Sequence, residues 1–301
     1  MATEPIGAPT VARGRGAPRR RSFILLKGAH RARGLVYYGL LIALVAVYLV
    51  PLSWMISTSL RTQVNLFDPG QWVPSPATLD HYGNLFQYLP DYGRYVWNTL
   101  RIAGLTTVGQ LVSCSMAGYA LARLRFPGRN ILFVFLLLTL MVPFHATLIP
   151  VYVLFKDLGW INTPLALIVP AFFGNALFTF FFRQFFMTVP RELEEAARID
   201  GAGWARIFRS IIVPVSKPAY TAVGLLTFVT AWNSFFVNTV FLQTQDQWVL
   251  TEALQSLIGQ YNSQYGEIMA GVVLMSLPIV VLYAVVQRYF VEGFTFAGIT
   301  G

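Results

Sequence analysis

Leu35 to Leu60 reads LVYYGLLIALVAVYLVPLSWMISTSL, 26 residues without a charge. The hydrocarbon core of a bilayer is about 30 Å thick and takes roughly 20 mostly apolar residues as a helix, because in lipid every backbone polar group must be paired inside the protein. The stretch therefore predicts a membrane-spanning helix, and the composition extends that reading to the whole chain. Of 301 residues, 55% are hydrophobic, 15% aromatic and only 12% charged, with a mean hydropathy of +0.57. Ordinary soluble chains are about one-quarter charged. The polar groups are too few to cover a compact soluble surface, which excludes a soluble enzyme and predicts an all-α polytopic membrane protein. The single cysteine, Cys114, excludes intramolecular disulfides and a cysteine-built zinc site, and reads as a small buried hydrophobe.

Outward from that first span, residues 61–94 are polar and carry the turn clusters Asp68-Pro69-Gly70 and Pro74-Ser75-Pro76, which read as an external loop. A second, weaker span runs over 95–124, interrupted by Asn98, Arg101, Gln110, Ser113 and Ser115. Its Gly104, Gly109, Ala117, Gly118 and Ala120 suit close helix contact. After the turn Arg125-Phe126-Pro127-Gly128-Arg129, further spans are expected over 131–155 (kinked by Pro143 and Pro150), 163–186, 218–242 and 267–289. Six transmembrane helices place both termini on one side. Residues 1–34 read as a basic, disordered tail and 290–301 as a second tail.

Lys and Arg orient the chain. The excess is 22 basic over 13 acidic residues, a net charge of +9. On a six-span model 18 of the basic residues fall on the side of the termini and four, Arg61, Arg94, Arg101 and Lys156, on the other. By the positive-inside rule both termini are cytoplasmic, so the basic charge reports topology and no nucleic-acid partner is expected. Arg20-Arg21-Ser22-Phe23-Ile24-Leu25 has the look of a twin-arginine export signal. Lys27, His30, Arg31 and Arg33 follow at once, however, and then a full-length span with no obvious cleavage pattern, so the segment reads as an anchor for the first helix.

The cytoplasmic loop 188–217 stands apart, because acids join the bases in Pro190-Arg191-Glu192-Leu193-Glu194-Glu195-Ala196-Ala197-Arg198-Ile199-Asp200-Gly201-Ala202-Gly203. Pro190 and the first-turn acids start a helix, Gly201 and Gly203 stop it, and a second short helix is expected from Trp204 to Val213. Two helices about a glycine joint make an elbow suited to a partner's groove, where Ala196 and Ala197 permit close approach.

The pattern Glu195-Ala196-Ala197, three intervening residues, Gly201, nine more, then Ile211 and Pro214 resembles the cytoplasmic loop of ABC-importer permeases. Met141-Val142-Pro143 through Leu148-Ile149-Pro150-Val151-Tyr152, then Leu158-Gly159-Trp160-Ile161-Asn162-Thr163, are similar to the carbohydrate-uptake, maltose-permease-like group. So are Ala231-Trp232-Asn233-Ser234-Phe235 and Gln287-Arg288-Tyr289-Phe290-Val291-Glu292-Gly293. Ser234, where an acid is common in that group, and the non-basic ending Ile299-Thr300-Gly301 depart from the pattern. The resemblance implies the ABC type-1 importer permease fold in a bacterial cell membrane. It further implies a second homologous permease subunit, an ABC ATPase dimer carrying ATP and Mg, an extracytoplasmic solute-binding protein, and no cofactor on this chain. In the elbow it makes Glu194, Glu195, Ala196, Ala197, Asp200, Gly201 and Ala202 the residues that couple to the ATPase.

Polar side chains inside the spans mark candidate contacts with a carbohydrate, since such groups face a bundle interior or a water-filled path. Thr227, Thr230, Ser234 and Asn238 recur at helical spacing beside Trp232 and Asn233. Hydroxyls and amides suit an uncharged polyol, but the stripe reads equally as a polar contact with a second subunit. Asn175 and Thr179 admit the same two readings. His145 beside Pro143 reads first as a packing residue and second as part of the path. Phe178-Thr179-Phe180-Phe181-Phe182 is explained by packing against lipid or a partner. No glycine-rich loop ending in Lys-Ser/Thr is present, and the spans are nearly free of acids, so the chain is not expected to be an enzyme. The external acids Asp68, Asp80, Asp91, Asp246, Glu252 and Glu267 read as surface charge or as docking points for a binding protein. The rival readings are a stand-alone secondary transporter, a membrane scaffold and a glycerol-phosphate permease, the last requiring a basic residue in its cavity.

Overall fold

A computed structural model of the chain describes residues 20–62, 66, 72–259 and 264–297. Among these every regular element is helical. The chain divides into two units, Met1–Trp54 and Met55–Gly301. The first unit holds most of α1, Arg20–Ser59. Over residues 34–59 this helix carries no charge and is strongly apolar, as a lipid-exposed segment is. It begins at Arg20, upstream of the Leu35 expected from hydropathy, so part of the segment expected to be a disordered tail is helical; residues 1–19 and 298–301 lie outside the described residues.

In the second unit, α2 (Asp80–Tyr88), α3 (Tyr92–Arg123), α4 (Arg129–Thr139) and α5 (Phe144–Asp157) are followed by the short α6 (Leu165–Ile168) and by α7 (Ala176–Thr188). The elbow follows as α8 (Glu192–Ile199), α9 (Trp204–Ile207), a π turn over 208–212 and α10 (Val213–Val215). The chain ends with α11 (Lys217–Trp232), α12 (Phe236–Phe241), α13 (Leu250–Gln255) and α14 (Tyr265–Ala297). Among the described residues three helical stretches, 34–59, 165–188 and 265–287, are by themselves long and apolar enough to cross a membrane, and two bent pairs raise the number to five. The remaining expected span is α3, whose 32 residues are long enough but too polar on average. The reason is its position: α7, α11, α13 and the 165–173 segment all pack on it, so its polar groups meet protein instead of lipid.

Two spans are more sharply broken than hydropathy implies. The expected 131–155 helix turns through 98° between α4 and α5. Pro143 lacks the N–H that would continue the ladder and takes an extended conformation (ψ 133°) just before α5, whereas Pro150 sits inside α5. The expected 218–242 span is interrupted at Asn233-Ser234-Phe235, with a further bend of 78° at Ser216, just before α11, which carries Pro218 in its first turn.

Side-chain size sets the approach of α3 to its neighbours. A Cβ on Gly118 would lie 2.8 Å from Phe182 Cβ and 3.1 Å from Thr179 O, and one on Gly109 2.8 Å from the Phe172 ring. Gly104, by contrast, has nothing within 4 Å. Around the C-terminal end of α3 the core is Cys114, Tyr119, Ala122, Phe182, Phe186, Ile207 and Ile212. At the other end Tyr95, Trp232, Leu250, Leu254 and Met275 form a separate core, where Leu254 lies over Gly271 and the His81 ring over Gly266.

Candidate functional site

Two sites emerge, one inside the helix bundle and one at the elbow that follows α7. The inner site is a cavity of about 250 Å³ bounded by α3, α6 (through Leu167), α7, α11 and α12. Ile102, Thr106 and Gln110 line it from α3; Asn175 and Phe178 from the start of α7; Thr227, Thr230 and Ala231 from α11; Ser234, Val237 and Asn238 from the break and α12. Helical spacing brings the Thr227–Asn238 stripe onto one wall even though the helix breaks inside it. The Thr106 and Thr227 hydroxyls are buried without a hydrogen bond among the described residues, and two unpartnered hydroxyls at one cavity are available to a polar ligand. No charged side chain lines the cavity.

The remaining polar groups are held by local bonds. Asn175 caps α7, its Oδ1 accepting from the Leu177 and Phe178 amides at 2.9 and 3.2 Å. The Cys114 thiol, fully buried, donates to Gln110 Oε1 at 3.1 Å and so fixes that amide. Asn238 Nδ2 donates to Ser234 O at 2.7 Å. Four candidates lie elsewhere. Trp232 is fully buried, donates through Nε1 to Met275 O at 3.1 Å and stacks on Phe228, fastening α11 to α14. Thr179 is buried in the α3–α7 contact; Asn233 is exposed and its amide turns back to Val229 O at 2.8 Å. His145 is exposed between the rings of Phe144 and Phe236. Thr106 and Gln110, which the stripe on span five did not single out, complete the cavity. Their signal was already in the sequence, as polar breaks in an otherwise apolar span.

At the elbow, α8 closes in a complete Schellman motif. Gly201 adopts φ +78°, the Ala202 amide donates to Ala197 O at 2.9 Å and the Gly201 amide to Arg198 O at 3.0 Å. Glu195, Ala196, Asp200 and Gly201 are exposed, and Ala197 and Ala202 half-buried. Glu194 is turned into the protein, away from the exposed face of the elbow. It is 3% exposed, and its carboxylate sits 3.2 Å from Arg123 Nε and 3.4 Å from the Arg198 guanidinium. Arg123, at the last turn of α3, also donates to the carbonyls of Phe186 and Val189. Arg198 in turn covers the Trp204 ring at 3.9 Å. The ion pair thus ties the elbow to the end of α3, and it leaves Ile199, 87% exposed, at the tip.

Residues 114–295 match the family described as binding-protein-dependent transport system inner membrane component. The chain belongs to this family. The matched segment begins at Cys114 and contains the whole elbow and the α7, α11 and α12 walls of the cavity, whereas Thr106 and Gln110 precede it. Over 86% of the chain and 93% of the relative's length, it is 36% identical to an arabinooligosaccharides transport system permease protein of Halalkalibacterium halodurans. It is 32% identical to a lactose transport system permease protein of Rhizobium radiobacter, over 87% of the chain and 95% of that protein. Among solved structures, a bacterial ABC transporter involved in alginate import superposes with a TM-score of 0.76 at 24% identity, covering 87% of this chain and 98% of that one. That likeness shows the fold, and the family and these relatives make the chain a type-1 ABC-importer permease, an inner-membrane component.

Proposed function

We propose that this permease is one transmembrane subunit of an ATP-driven importer for a neutral sugar. An extracytoplasmic binding protein delivers the sugar, and separate ATPase subunits carrying ATP and Mg hydrolyse the nucleotide. A second, homologous permease faces the inner cavity. The relatives named for arabinooligosaccharide and lactose transport support the substrate class, and the uncharged lining of the cavity is the observation that carries it. Amides and hydroxyls exchange hydrogen bonds with sugar hydroxyls and impose no charge preference. A phosphorylated or acidic substrate would call for a basic group among Thr106, Gln110, Asn175, Thr227, Thr230, Ser234 and Asn238, and none is present. At about 250 Å³ the cavity falls below the roughly 300–1,000 Å³ of whole-ligand pockets, which fits one wall of a path completed by the second subunit.

Energy enters at the elbow. Glu195, Ala196, Ala197, Asp200, Gly201 and Ala202 form the face that seats in the ATPase, while Glu194, through Arg123, passes its displacement to α3. ATP binding shifts the helices between inward-open and outward-open states only so far as the ATPases grip the elbow differently in the two. Both termini lie in the cytoplasm. Co-purification with an ATPase and a second permease, and sugar-stimulated ATP hydrolysis across a panel containing arabinotriose, lactose and trehalose, test the proposal. Uptake by this chain without an ATPase would refute it.

A further inference from the structure

Beyond the inner cavity, a second notch of about 370 Å³ opens between α12 and α13. Phe235, Thr239, Leu242 and Gln243 line it on one side, Trp248, Glu252, Gln255 and Ser256 on the other. It lies outside the inner cavity, but the two share α12. Ser234, Val237 and Asn238 line the inner cavity, whereas Phe235, Thr239 and Leu242, on the neighbouring side of α12 and its flanks, line the notch. The short α12 is therefore the partition between two cavities, and it follows the break at 233–235. The partition is held at its start by Ser234 O, which accepts from Thr251 Oγ1 and from Asn238 Nδ2, both at 2.7 Å.

The chemistry of the notch is uniform. Trp248 and the exposed Phe235 ring offer apolar faces, and amides and hydroxyls surround them. No basic side chain lines it. Glu252 is 6% exposed; its Oε2 accepts from the Val249 amide at 3.1 Å and caps α13, while Oε1 is buried without a hydrogen bond of normal geometry. Gln243 uses its Nε2 on Tyr152 Oη at 3.1 Å, which leaves its carbonyl oxygen as an acceptor. Aromatic faces bordered by amides and one buried carboxyl suit a pyranose or furanose ring, whose C–H face is apolar and whose rim is hydroxyl.

We propose that this notch is an outer carbohydrate subsite, where a neutral sugar ring rests on Trp248 and Phe235 and hydrogen-bonds Glu252, Gln243 and Gln255 before α12 yields and admits it to the inner cavity. The inference rests on the sugar-importer reading above. The test uses the assembled transporter in nanodiscs, with lactose and arabinotriose as probes. Saturation-transfer NMR without binding protein reads direct contact, and uptake kinetics with binding protein read its consequence.

Gln255→Ala, on the exposed rim, and Trp248→Ala should each reduce saturation transfer and raise the KM for uptake about fivefold with kcat retained, the loss expected of one removed polar or stacking contact. Gln255→Ala keeps the test decisive if Trp248→Ala fails to assemble. Wild-type transport with both measures unchanged in Gln255→Ala would overturn the subsite and leave the importer reading intact. A change confined to the affinity of the binding protein would also overturn it, because a protein side chain would then fill the notch. Absence of any sugar uptake by the wild type would sink both.

Discussion

Asn162 sits at φ +61°, in the left-handed region that few residues other than glycine occupy, and its carboxamide holds two distant segments together. Oδ1 accepts from the Gln243 and Thr244 amides and from Thr244 Oγ1 at 3.1, 3.0 and 2.9 Å, while the Asn162 amide donates to Phe241 O at 2.7 Å. Asn162→Ala should destabilise the permease by about 2–3 kcal/mol, from the lost acceptor and the left-handed strain. Asn162→Gly should recover the backbone part, as thermal unfolding in detergent would show. Gly201 presents the opposite case. Its φ of +78° disfavours any side chain, yet nothing lies within 4 Å of a Cβ built there. Gly201→Trp should therefore insert and fold, at a backbone cost of about 1–2 kcal/mol, and abolish uptake by obstructing the ATPase groove; normal uptake by that variant would refute the coupling role. Gly201 was legible in the sequence as a helix stop, whereas Asn162 stood only within a stretch of family resemblance. The partners of Asn162 were not legible, because they lie 81 and 82 residues away.

At the scale of elements, the α3–α7 contact depends on the missing side chain of Gly118. Gly118→Val forces Phe182 Cβ and the backbone of α7 outward, and a cost of about 1–3 kcal/mol is expected, read as a lowered unfolding temperature. The same change at Gly104, which meets nothing, should be close to neutral. The expectation of close packing from small residues was thus sound for Gly109 and Gly118 and had no way to exclude Gly104. On α13, burial pushes the Glu252 carboxyl up to about 7 from its ordinary 4.5, against opposing hydrogen bonds from the Val249 amide and the Thr239 side chain. Between those values the folded chain keeps a proton that the unfolded chain has released, so stability falls as pH rises from about 4.5 through about 7. Glu252→Gln should flatten that part of the stability profile; an unchanged slope would show that Glu252 does not titrate there. At Asp246 the shift runs the other way, held low by hydrogen bonds from Thr244 and Gln247. Sequence listed both as external acids and could not separate them, since burial is what differs.

At the scale of the whole molecule, packing sets the direction in which α3, α7 and α11 run relative to one another. α3 and α7 run parallel, with Gly118 beside Phe182 and Arg123 reaching Phe186, as two spans entering from the same side must. α11 returns antiparallel, with Gly224 near Thr107 and Leu111 of α3. Arg123, Arg125, Arg191 and Arg198 gather at one end around Glu194 and Glu195, while Glu267, Glu252 and Asp246 stand at the other. Cysteines introduced by Ala8→Cys and Thr300→Cys, in a Cys114→Ser background, should react with an impermeant maleimide only from the cytoplasmic face. Labelling of intact cells at either position would reverse the orientation.

Hydropathy, the Lys/Arg bias and the Glu195–Gly201 spacing by themselves determined the membrane class, the expected orientation and the elbow, because each depends on local composition or on neighbours within a few turns. The tertiary structure decided the rest. It turned Glu194 inward, since only the arrival of Arg123 from another helix supplies a counter-charge where the carboxylate is buried. It kept Thr227, Thr230, Ser234 and Asn238 in one cavity, added Thr106 and Gln110 from α3, and left out Trp232, Asn233, Thr179 and His145. Which face of a helix meets a cavity, a neighbour or lipid depends on where the other helices stand, and no single segment encodes that.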